Sequence, residues 1–541
     1  MSLIDQLISD VLNSRSPDCS AFSQDAANDR WNASRLLAAF GSDLAYVTSK
    51  DWGVWDGARY DFSDGRQRAM LIAERLQDLV TNDAGTVTGG DFTEEEIDAR
   101  LKRETATGRP KFWTREACVE TLREERIRAM KKHASKCGNV DTMKKALEIA
   151  QGRRRVPIED LDADPNSFVC PNGRIDLRLV AASELSAGAG GAEAARIRKS
   201  WLLDHDRSSH PTKCAGVAFD PNADCPRWRS FLALILPDRQ IRDCFQRSMG
   251  AALFGRNEAQ VALMLRGSGG NGKSTAVSAI AHVFGETNGY AVPCKIEMFL
   301  ATQNQSASQA TPEEVDLPGA RLMIASEPAA TDELSSKKIK ALTGGDRRPA
   351  RALNMPQFYY RPTGFPILSF NRTPRIKDED EGTRRRLVFF PFEVNLRALP
   401  PARRRNPAVI EAELRSEGPG ILNWLLDGYR EFTDRLGKGI GAPPGIDPPE
   451  SMQRLKDTLL EQADPVGEFI KDSCVRTPES LIRCSDFYRQ YEMWCDEVGA
   501  ALYGKQAVTR TLIEKGHSKR KTGGIWYWAG FGWQDSVRQH G

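Results

Sequence analysis

The spacing of apolar and polar positions changes several times along the first part of the chain, and each change predicts a different element. Aromatic-rich runs flank Asp56-Gly57 in "DWGVWDGARYDF", which predicts a β-hairpin. Helical spacing then dominates and is broken at Gly138-Asn139. "NSFVCPNGRIDLRLV" predicts two strands around an Asn172-Gly173 turn, followed by a Gly/Ala-rich loop. We therefore expect a mixed α+β region before residue 231.

A β-prone run, a glycine-rich loop and a helical pattern follow one another between Val261 and Phe284. The loop has the spacing Gly267, four residues, then Gly272-Lys273-Ser274, in which small residues let backbone N–H groups approach a phosphate. The lysine would reach the β- and γ-phosphates of a nucleotide, and the serine hydroxyl would hold Mg²⁺. Because strand, loop and helix come in the required order, we expect nucleotide binding rather than a Gly/Ser linker. The residues expected to cradle the nucleotide are Gly267, Ser268, Gly269, Gly270, Asn271, Gly272, Lys273, Ser274 and Thr275.

Two later apolar runs each end in a polar residue that suits such a site. "ARLMIASEPA" reaches Glu327, where a carboxylate would lie beside Mg²⁺ and the attacking water. "FPILSFNRTP" reaches Asn371, which would either orient water at the γ-phosphate or form a turn before Pro374. Strands that alternate with helices over residues 231–395 indicate a parallel α/β core.

Three arginines stand directly before another β-run in "EGTRRRLVFFPFE". Arginine stabilises charge on a transferring phosphoryl group and can be supplied by a neighbouring subunit. A lone basic cluster more often forms a solvated or nucleic-acid-facing patch. Arg385 and Arg386 are the two candidates for the first role.

Composition narrows the class of protein. With 541 residues, of which 40% are hydrophobic and 28% charged, the chain has the length of several globular domains. No long apolar run or secretory leader is present, so we expect a cytoplasmic protein with no membrane partner. The 11 cysteines are scattered without a C-x-x-C pair, which favours reduced thiols. His205, His210, Cys214 and Cys225 match no standard zinc spacing, and loop or core roles are favoured over metal binding.

The net charge is only +3, but basic residues are concentrated in two places. Residues 100–155 hold 17 Lys and Arg against 7 Asp and Glu, which fits either a nucleic-acid collar or a solvated helical face. From residue 501 to the end, 7 Lys and Arg stand against 2 Asp and Glu.

The basic tail has the pattern helix, strand, turn and aromatic strand in "KQAVTRTLIEKGHSKRKTGGIWYWAGFGW", which predicts a winged helix. Its wing would present Lys519, Arg520 and Lys521 to DNA, in preference to serving as surface charge. Trp526 and Trp528 share one strand face, and we expect core positions rather than base-stacking ones.

The ordered motifs together resemble those of superfamily 3 helicases, in particular the phage and plasmid primase-helicase family related to the poxvirus primase-helicases. The ATPase motifs that carry the resemblance are GSGGNGKST, RLMIASEP, KIKALTGGDRRPAR, FPILSFNRTP and GTRRRLVFFPF. Outside the ATPase, WGVWDGARY, NGRIDL, DPNADCPRW and FYRQYEMWCDEVGA resemble flanking regions of that family. A recognisable primase domain is missing from the residues before the motor.

The resemblance implies an α/β fold with an AAA+-type P-loop ATPase core, assembled as a ring hexamer with ATP at subunit interfaces. Lys273 and Ser274 correspond to the phosphate-binding motif, Glu327 to the acidic strand end and Asn371 to the first sensor. Either Arg385 or Arg386 corresponds to the arginine finger, and Arg386, immediately before the β-run, is the first choice. Members of the superfamily generally move along single-stranded DNA in the 3′ to 5′ direction.

The chain departs from the family pattern in two places. Ser326 stands where many relatives have a second acid, so Glu327 alone would serve both Mg²⁺ and water. The hairpin tip that usually carries a lysine or histidine for DNA reads "ALNMPQF" here. DNA contact would then fall to Arg347, Arg348 or Arg351, unless these form salt bridges with Asp346 or another local acid.

The sequence predicts four regions: an N-terminal α+β domain (1–230), the ATPase domain (231–436), a linker (437–450) and a winged-helix domain (451–541). We expect an ATP- and Mg²⁺-dependent replicative DNA helicase of a phage, prophage island or plasmid. Its expected partners are single-stranded and forked DNA and further copies of itself, with a separate primase or replication initiator as a candidate. The alternatives are an AAA+ ATPase that loads or remodels replication proteins on DNA without unwinding it, and a small-molecule P-loop kinase.

Overall fold

The computed structural model describes most of the chain. The described residues are 28–106, 114–185, 191–301, 311–326, 333–353, 355–371, 373–377, 380–401, 404–462, 465–498 and 502–534. Within these ranges, no helix combines the length and the apolar composition needed to cross a membrane.

The N-terminal part packs helices around a small antiparallel sheet. Its elements are α1 (Asp29–Phe40), β1 (Leu44–Val47), β2 (Asp51–Trp55), β3 (Tyr60–Asp61), α2 (Gly65–Glu74), α3 (Leu76–Thr86), α4 (Glu94–Ala106), α5 (Arg115–Cys137) and α6 (Val140–Arg153). The predicted hairpin is confirmed, since Trp55 pairs with Tyr60 across the turn. The predicted break is confirmed as well, because α5 ends and α6 begins on either side of Gly138-Asn139.

A second small sheet joins this part to the main core. Its elements, with the helices that follow, are β4 (Ser167–Cys170), β5 (Gly173–Asp176), α7 (Leu177–Ala181), α8 (Gly191–Lys199), β6 (Leu202–Leu203), α9 (Pro226–Ile235) and α10 (Arg239–Ala251). The Asn172-Gly173 turn between β4 and β5 is confirmed, with Cys170 paired to Gly173. Phe168 of β4 stacks on Tyr290 with ring centroids 4.7 Å apart. The hydrophobic core therefore runs across residue 230, where the sequence placed a domain boundary.

Five parallel strands form the centre of the molecule. They are β7 (Ala262–Arg266), β8 (Ala291–Pro293), β9 (Leu322–Ser326), β13 (Phe365–Phe370) and β15 (Leu387–Pro391), in the spatial order β15-β7-β13-β9-β8. The first four residues of β7 are buried, as expected for a strand covered on both faces of a parallel sheet. The predicted parallel α/β core is therefore confirmed.

Shorter elements surround this sheet. They are α11 (Lys273–Phe284), β10 (Glu333–Ser335), α12 (Ser336–Thr343), β11 (Arg348–Ala350), β12 (Phe358–Tyr360), β14 (Arg375–Lys377), α13 (Glu381–Arg384), α14 (Pro407–Ser416) and α15 (Gly418–Gly437). β11 and β12 pair as an antiparallel hairpin, and β10 pairs with β14 in parallel.

The segment predicted as a linker is packed against the main core. Ile446 is fully buried, and its carbonyl oxygen accepts two hydrogen bonds from the Arg247 guanidinium of α10, at 3.1 and 3.0 Å. The following helix, α16 (Glu450–Gln462), contributes Leu459 and Leu460 to the core beside the parallel sheet. The segment holds no helix or strand between α15 and α16, and these contacts attach the predicted linker to the core.

The C-terminal unit consists of α17 (Pro465–Ser473), β16 (Cys474–Arg483), α18 (Cys484–Val498), α19 (Lys505–Glu514), β17 (Ser518–Thr522) and β18 (Ile525–Trp533). Its antiparallel sheet has the order β16-β18-β17. Phe469, Phe487 and Trp528 lie at the centre of its own hydrophobic core.

Candidate functional site

The glycine-rich loop leaves the carboxyl end of β7 and leads directly into α11, which begins at Lys273. Gly269, Gly270 and Gly272 have φ values of +92°, +66° and +83°, a region that residues with a Cβ rarely adopt. At Gly267, a Cβ would lie 2.4 Å from the carbonyl oxygen of Phe392. The loop conformation therefore depends on glycine at positions that sequence spacing had singled out.

Lys273 is the buried cation of the loop, with 5% of its surface exposed. Its Nζ lies 3.2 Å from Asn371 Oδ1 and 3.4 Å from the Phe370 carbonyl oxygen, and it also donates to the Gly267 carbonyl oxygen. Two residues that sequence analysis assigned to one site, almost one hundred positions apart, are thus in direct contact. A buried ammonium at the N-terminal end of α11, beside a glycine-rich loop, suits an anionic ligand.

The strand that precedes Glu327 ends beside Asn371. β9 pairs with β13 as far as Ser326, which lies opposite Ser369. Glu327 itself lies outside the described residues, so its role stays a hypothesis. Ser274, in the first turn of α11, is exposed and Thr275 is half-buried.

The two candidate finger arginines have different surroundings. Arg386 donates to the Gly382 carbonyl oxygen at 2.6 Å and to Gln260 Oε1 at 2.8 Å, and its burial lowers the pKa of the guanidinium. Arg385 is exposed, and its side chain makes no hydrogen bond or ion pair with any described residue. Arg386, the first choice from the sequence, is thus engaged within its own chain.

Both arginines lie at the end of the sheet opposite the glycine-rich loop. Leu387, which follows them, pairs with Ala262 at the start of β7, whereas Pro391 pairs with Arg266, which leads into the loop. A strand rises about 3.3 Å per residue, so roughly 13 Å separates the two ends of these paired strands. Neither arginine is therefore placed to reach the loop of its own chain.

The segment after β15 lies along the glycine-rich loop, a contact for which the sequence gave no signal. The Asn271 side chain donates from Nδ2 to the Phe392 carbonyl oxygen at 2.7 Å. The Leu396 N–H donates to the Gly270 carbonyl oxygen at 2.9 Å. Arg397 follows this second contact and lies against Gly270.

The three arginines of the β11–β12 hairpin are not equivalent. Arg348 forms two contacts with the buried Glu314 carboxylate, at 3.2 and 2.6 Å. It therefore forms a salt bridge, the alternative to DNA contact that the sequence left open. Arg351 donates from Nε to the Met355 carbonyl oxygen at 3.2 Å. Arg347 is exposed and lies over the Tyr359 ring, 5.7 Å from its centroid.

The basic strand of the C-terminal unit is fully exposed along β17. Lys519 and Lys521 lie over the rings of Trp528 and Trp526, 4.8 and 5.7 Å from their centroids. Trp528 is buried as expected, but the core expectation is wrong for Trp526, which is 51% exposed. The reason is that Trp526 stands next to the turn, beyond the aromatic cluster that covers Trp528.

One ion pair connects the C-terminal unit with the ATPase part. Arg510 of α19 lies 3.1 Å from Glu333, the first residue of β10. Glu333 comes shortly after the strand that carries the acidic motif. Opposite charges 177 positions apart give no sequence signal for this contact.

In the N-terminal part, acids interleaved with the basic residues neutralise several of them. Arg126 pairs with Glu96 at 2.8 Å, and Arg100 pairs with Glu125 at 3.1 Å. These pairs favour the solvated, internally paired helical face over a continuous collar of free charge. Across the described ranges, no group of three His, Cys, Asp or Glu side chains converges as metal ligands would, His205 and Cys225 included.

Comparison with known proteins agrees with the motifs. Residues 33–237 match a protein-family model described as "D5 N terminal like". The chain is 28% identical over 278 residues to "Putative helicase L207/L206" of Acanthamoeba polyphaga mimivirus, covering 49% of this chain and 28% of that protein. It is 27% identical over 320 residues to "Putative helicase 121R" of Invertebrate iridescent virus 3, and this match covers 56% of this chain and 33% of that protein. The chain thus spans a third or less of these curated relatives.

Among solved structures, the apo structure of the NrS-1 C terminal region (305-718) is 14% identical, covers 58% of this chain and 80% of that chain, and has a TM-score of 0.33. The resemblance inferred from the motifs is confirmed by the family match and the viral putative helicases: the chain is similar to phage and viral primase-helicases.

Proposed function

We propose that this primase-helicase-like chain is the ATP-driven motor of a replicative DNA helicase from a phage, prophage island or plasmid. It would work as a ring hexamer, translocate on single-stranded DNA in the 3′ to 5′ direction and unwind duplex DNA. The observation that carries the proposal is the contact between Lys273 and Asn371 at the carboxyl edge of the parallel sheet.

This edge fits a nucleotide triphosphate with its metal. The glycine loop offers backbone N–H groups and the N-terminal end of α11, both of which favour phosphate. Lys273 would neutralise the β- and γ-phosphates, and Asn371 would orient the attacking water. Ser274 and Glu327 would hold Mg²⁺, which would offset charge on the phosphate oxygens.

The strand order supports an AAA+-type core, because the loop-bearing strand β7 lies between β15 and β13. The position of the arginines supports the proposed ring. Since Arg385 is exposed at the opposite end of the sheet from its own loop, it would complete the site of a neighbouring subunit.

DNA binding is proposed for the C-terminal unit. Its order of helix, strand, two helices and two strands supports a winged helix, of which the exposed β17 would be the wing. Lys519, Arg520 and Lys521 would contact phosphates, and the exposed Arg347 is a second candidate. Arg348 is left out because Glu314 already neutralises it.

The test compares the full chain with its Lys273→Ala variant on a forked DNA duplex. We expect the chain to hydrolyse ATP faster with DNA and to separate the strands, and the variant to fold, bind DNA and do neither. ATP hydrolysis without strand separation would favour the protein-remodelling ATPase instead. Normal ATP turnover by the variant would overturn the site.

A further inference from the structure

Arg397 is positioned by a short turn that is itself attached to the glycine-rich loop. The turn Leu396–Ala398 is capped by Asn395, whose Oδ1 accepts the Arg397 N–H at 3.0 Å. Immediately before Arg397, the Leu396 N–H donates to the Gly270 carbonyl oxygen at 2.9 Å. The backbone of Arg397 is therefore held at a fixed place beside the loop.

The side chain of Arg397 rests directly on the loop backbone. A Cβ added to Gly270 would lie 2.9 Å from Arg397 Nε, 3.1 Å from Cδ and 3.2 Å from Cγ. The guanidinium thus occupies space that any residue other than glycine would fill. Because Gly270 has a φ of +66°, the loop needs glycine here for its backbone as well.

The charge of Arg397 is exposed, and no described residue compensates it. Its guanidinium makes no ion pair with a carboxylate anywhere in the described ranges. The acidic residue of the same segment, Glu393, faces another arginine, Arg266, at 3.4 Å. A cation held against a phosphate-type loop without an acid partner has an anion as its natural ligand.

We infer that Arg397 is a phosphate ligand of the nucleotide, supplied by the same chain as the loop. The inference deepens the proposed ATP site and rests on it. Arg397 lies at the loop end of the sheet, whereas Arg385 lies at the other end, so the two arginines would reach a nucleotide from different subunits. Guanidinium groups suit this role because their planar fork can donate two hydrogen bonds to one phosphate.

The experiment measures the affinity of the full chain for fluorescent ATP and ADP analogues. Arg397→Gln removes the charge but keeps much of the side-chain length, and Arg397→Lys keeps the charge. The matched control is Arg404→Gln, an exposed arginine of the same segment whose Nε donates to the Leu399 carbonyl oxygen at 2.6 Å. The midpoint of thermal unfolding without nucleotide is measured for each variant.

We expect Arg397→Gln to weaken ATP binding about 10- to 100-fold, the range for losing a hydrogen bond to a charged group. Arg397→Lys should recover part of the affinity, Arg404→Gln should bind as the unmodified chain does, and no thermal midpoint should move. An equal loss for ATP and ADP supports contact with the β-phosphate, and a loss for ATP alone supports contact with the γ-phosphate.

Unchanged ATP affinity in Arg397→Gln would overturn the inference. It would also be overturned if affinity and thermal midpoint fell together and lysine restored neither, since Arg397 would then be structural. Failure of the ATP site as a whole is distinguishable, because the unmodified chain would then bind no nucleotide and Lys273→Ala would change nothing.

Discussion

At the scale of single residues, neighbouring side chains of the same type have different roles. Arg385 and Arg386 are adjacent in sequence, yet one is exposed and the other is held by Gly382 and Gln260. The sequence could propose both as the finger but had no means of seeing the partners of Arg386. Because the Arg386 guanidinium is held within its own chain, we expect that of Arg385 to be the one that extends to a neighbouring subunit.

We predict opposite consequences for the two alanine substitutions. Arg385→Ala should leave the thermal midpoint unchanged and lower the ATPase rate about 10³- to 10⁵-fold, the usual contribution of an arginine finger. Arg386→Ala should lower the free energy of unfolding by about 1–3 kcal/mol, because two hydrogen bonds are lost. Thermal unfolding and steady-state ATP hydrolysis measure both. An unstable Arg385→Ala protein, or a fully active one, would contradict the assignment.

At the scale of elements, two tryptophans on the same face of β18 in the β17–β18 hairpin differ in burial. Trp528 is 2% exposed among the rings of the C-terminal core, and Trp526 is 51% exposed beside the turn. Strand periodicity assigns both residues to one face, but how far the covering helices extend decides which ring is buried.

The difference gives a stability prediction. Trp528→Ala should lower the free energy of unfolding of the C-terminal unit by about 3–5 kcal/mol, since it leaves a large cavity. Trp526→Ala should change it by less than about 1 kcal/mol, because an exposed ring loses little beyond its contact with Lys521. Chemical denaturation followed by circular dichroism distinguishes the two. Similar losses for both variants would mean that Trp526 is covered.

The wing gives a prediction about salt. Neutralising Lys519, Arg520 and Lys521 together should weaken DNA binding and make its dependence on salt shallower. The slope of log K against log[salt] should fall by up to about 3, since each lost phosphate contact retains roughly one counterion. Fluorescence anisotropy at several salt concentrations measures the slope, and ATP hydrolysis without DNA serves as the control that should not change. An unaltered slope would mean that these residues are surface charges that do not contact DNA phosphates.

At the scale of the whole molecule, the glycine loop and Arg385 lie at opposite ends of the same sheet. On the proposed function, one chain would hold halves of two different ATP sites. A ring in which each Arg385 faces the next subunit's loop would combine them.

Subunit mixing tests this arrangement. Arg385→Ala keeps a sound loop, and Lys273→Ala keeps a sound finger, so each protein should be nearly inactive alone. In equal mixtures roughly a quarter of the interfaces would join a sound loop to a sound finger, and ATPase activity should reappear well above both parents. The variants are co-expressed, and the presence of both in one ring is verified by separate affinity tags. If mixed rings recovered no activity, Arg385 would act within its own subunit or only support the fold.

Much of the fold and part of the candidate site could be predicted from the sequence. The β2–β3 hairpin, the break before α6, the glycine loop between β7 and α11, and the parallel core all follow from local rules. These rules are turn chemistry, apolar periodicity and the small size of glycine, and each acts over only a few residues. The order of residues alone therefore determines such elements. The same local reasoning selected Lys273 from its position in the glycine-rich loop, and Asn371 because it stands where an apolar run ends.

Contacts between distant segments were decided only by the tertiary structure. They include Arg397 on Gly270, Arg510 with Glu333, Arg348 with Glu314, and the burial of Ile446 in a segment with the composition of a linker. Each depends on which surfaces meet when helices and strands pack, and no periodicity records the partner of a side chain a hundred positions away. The sequence therefore determined which residues are chemically able to serve a nucleotide, and the packing decided which of them lie together.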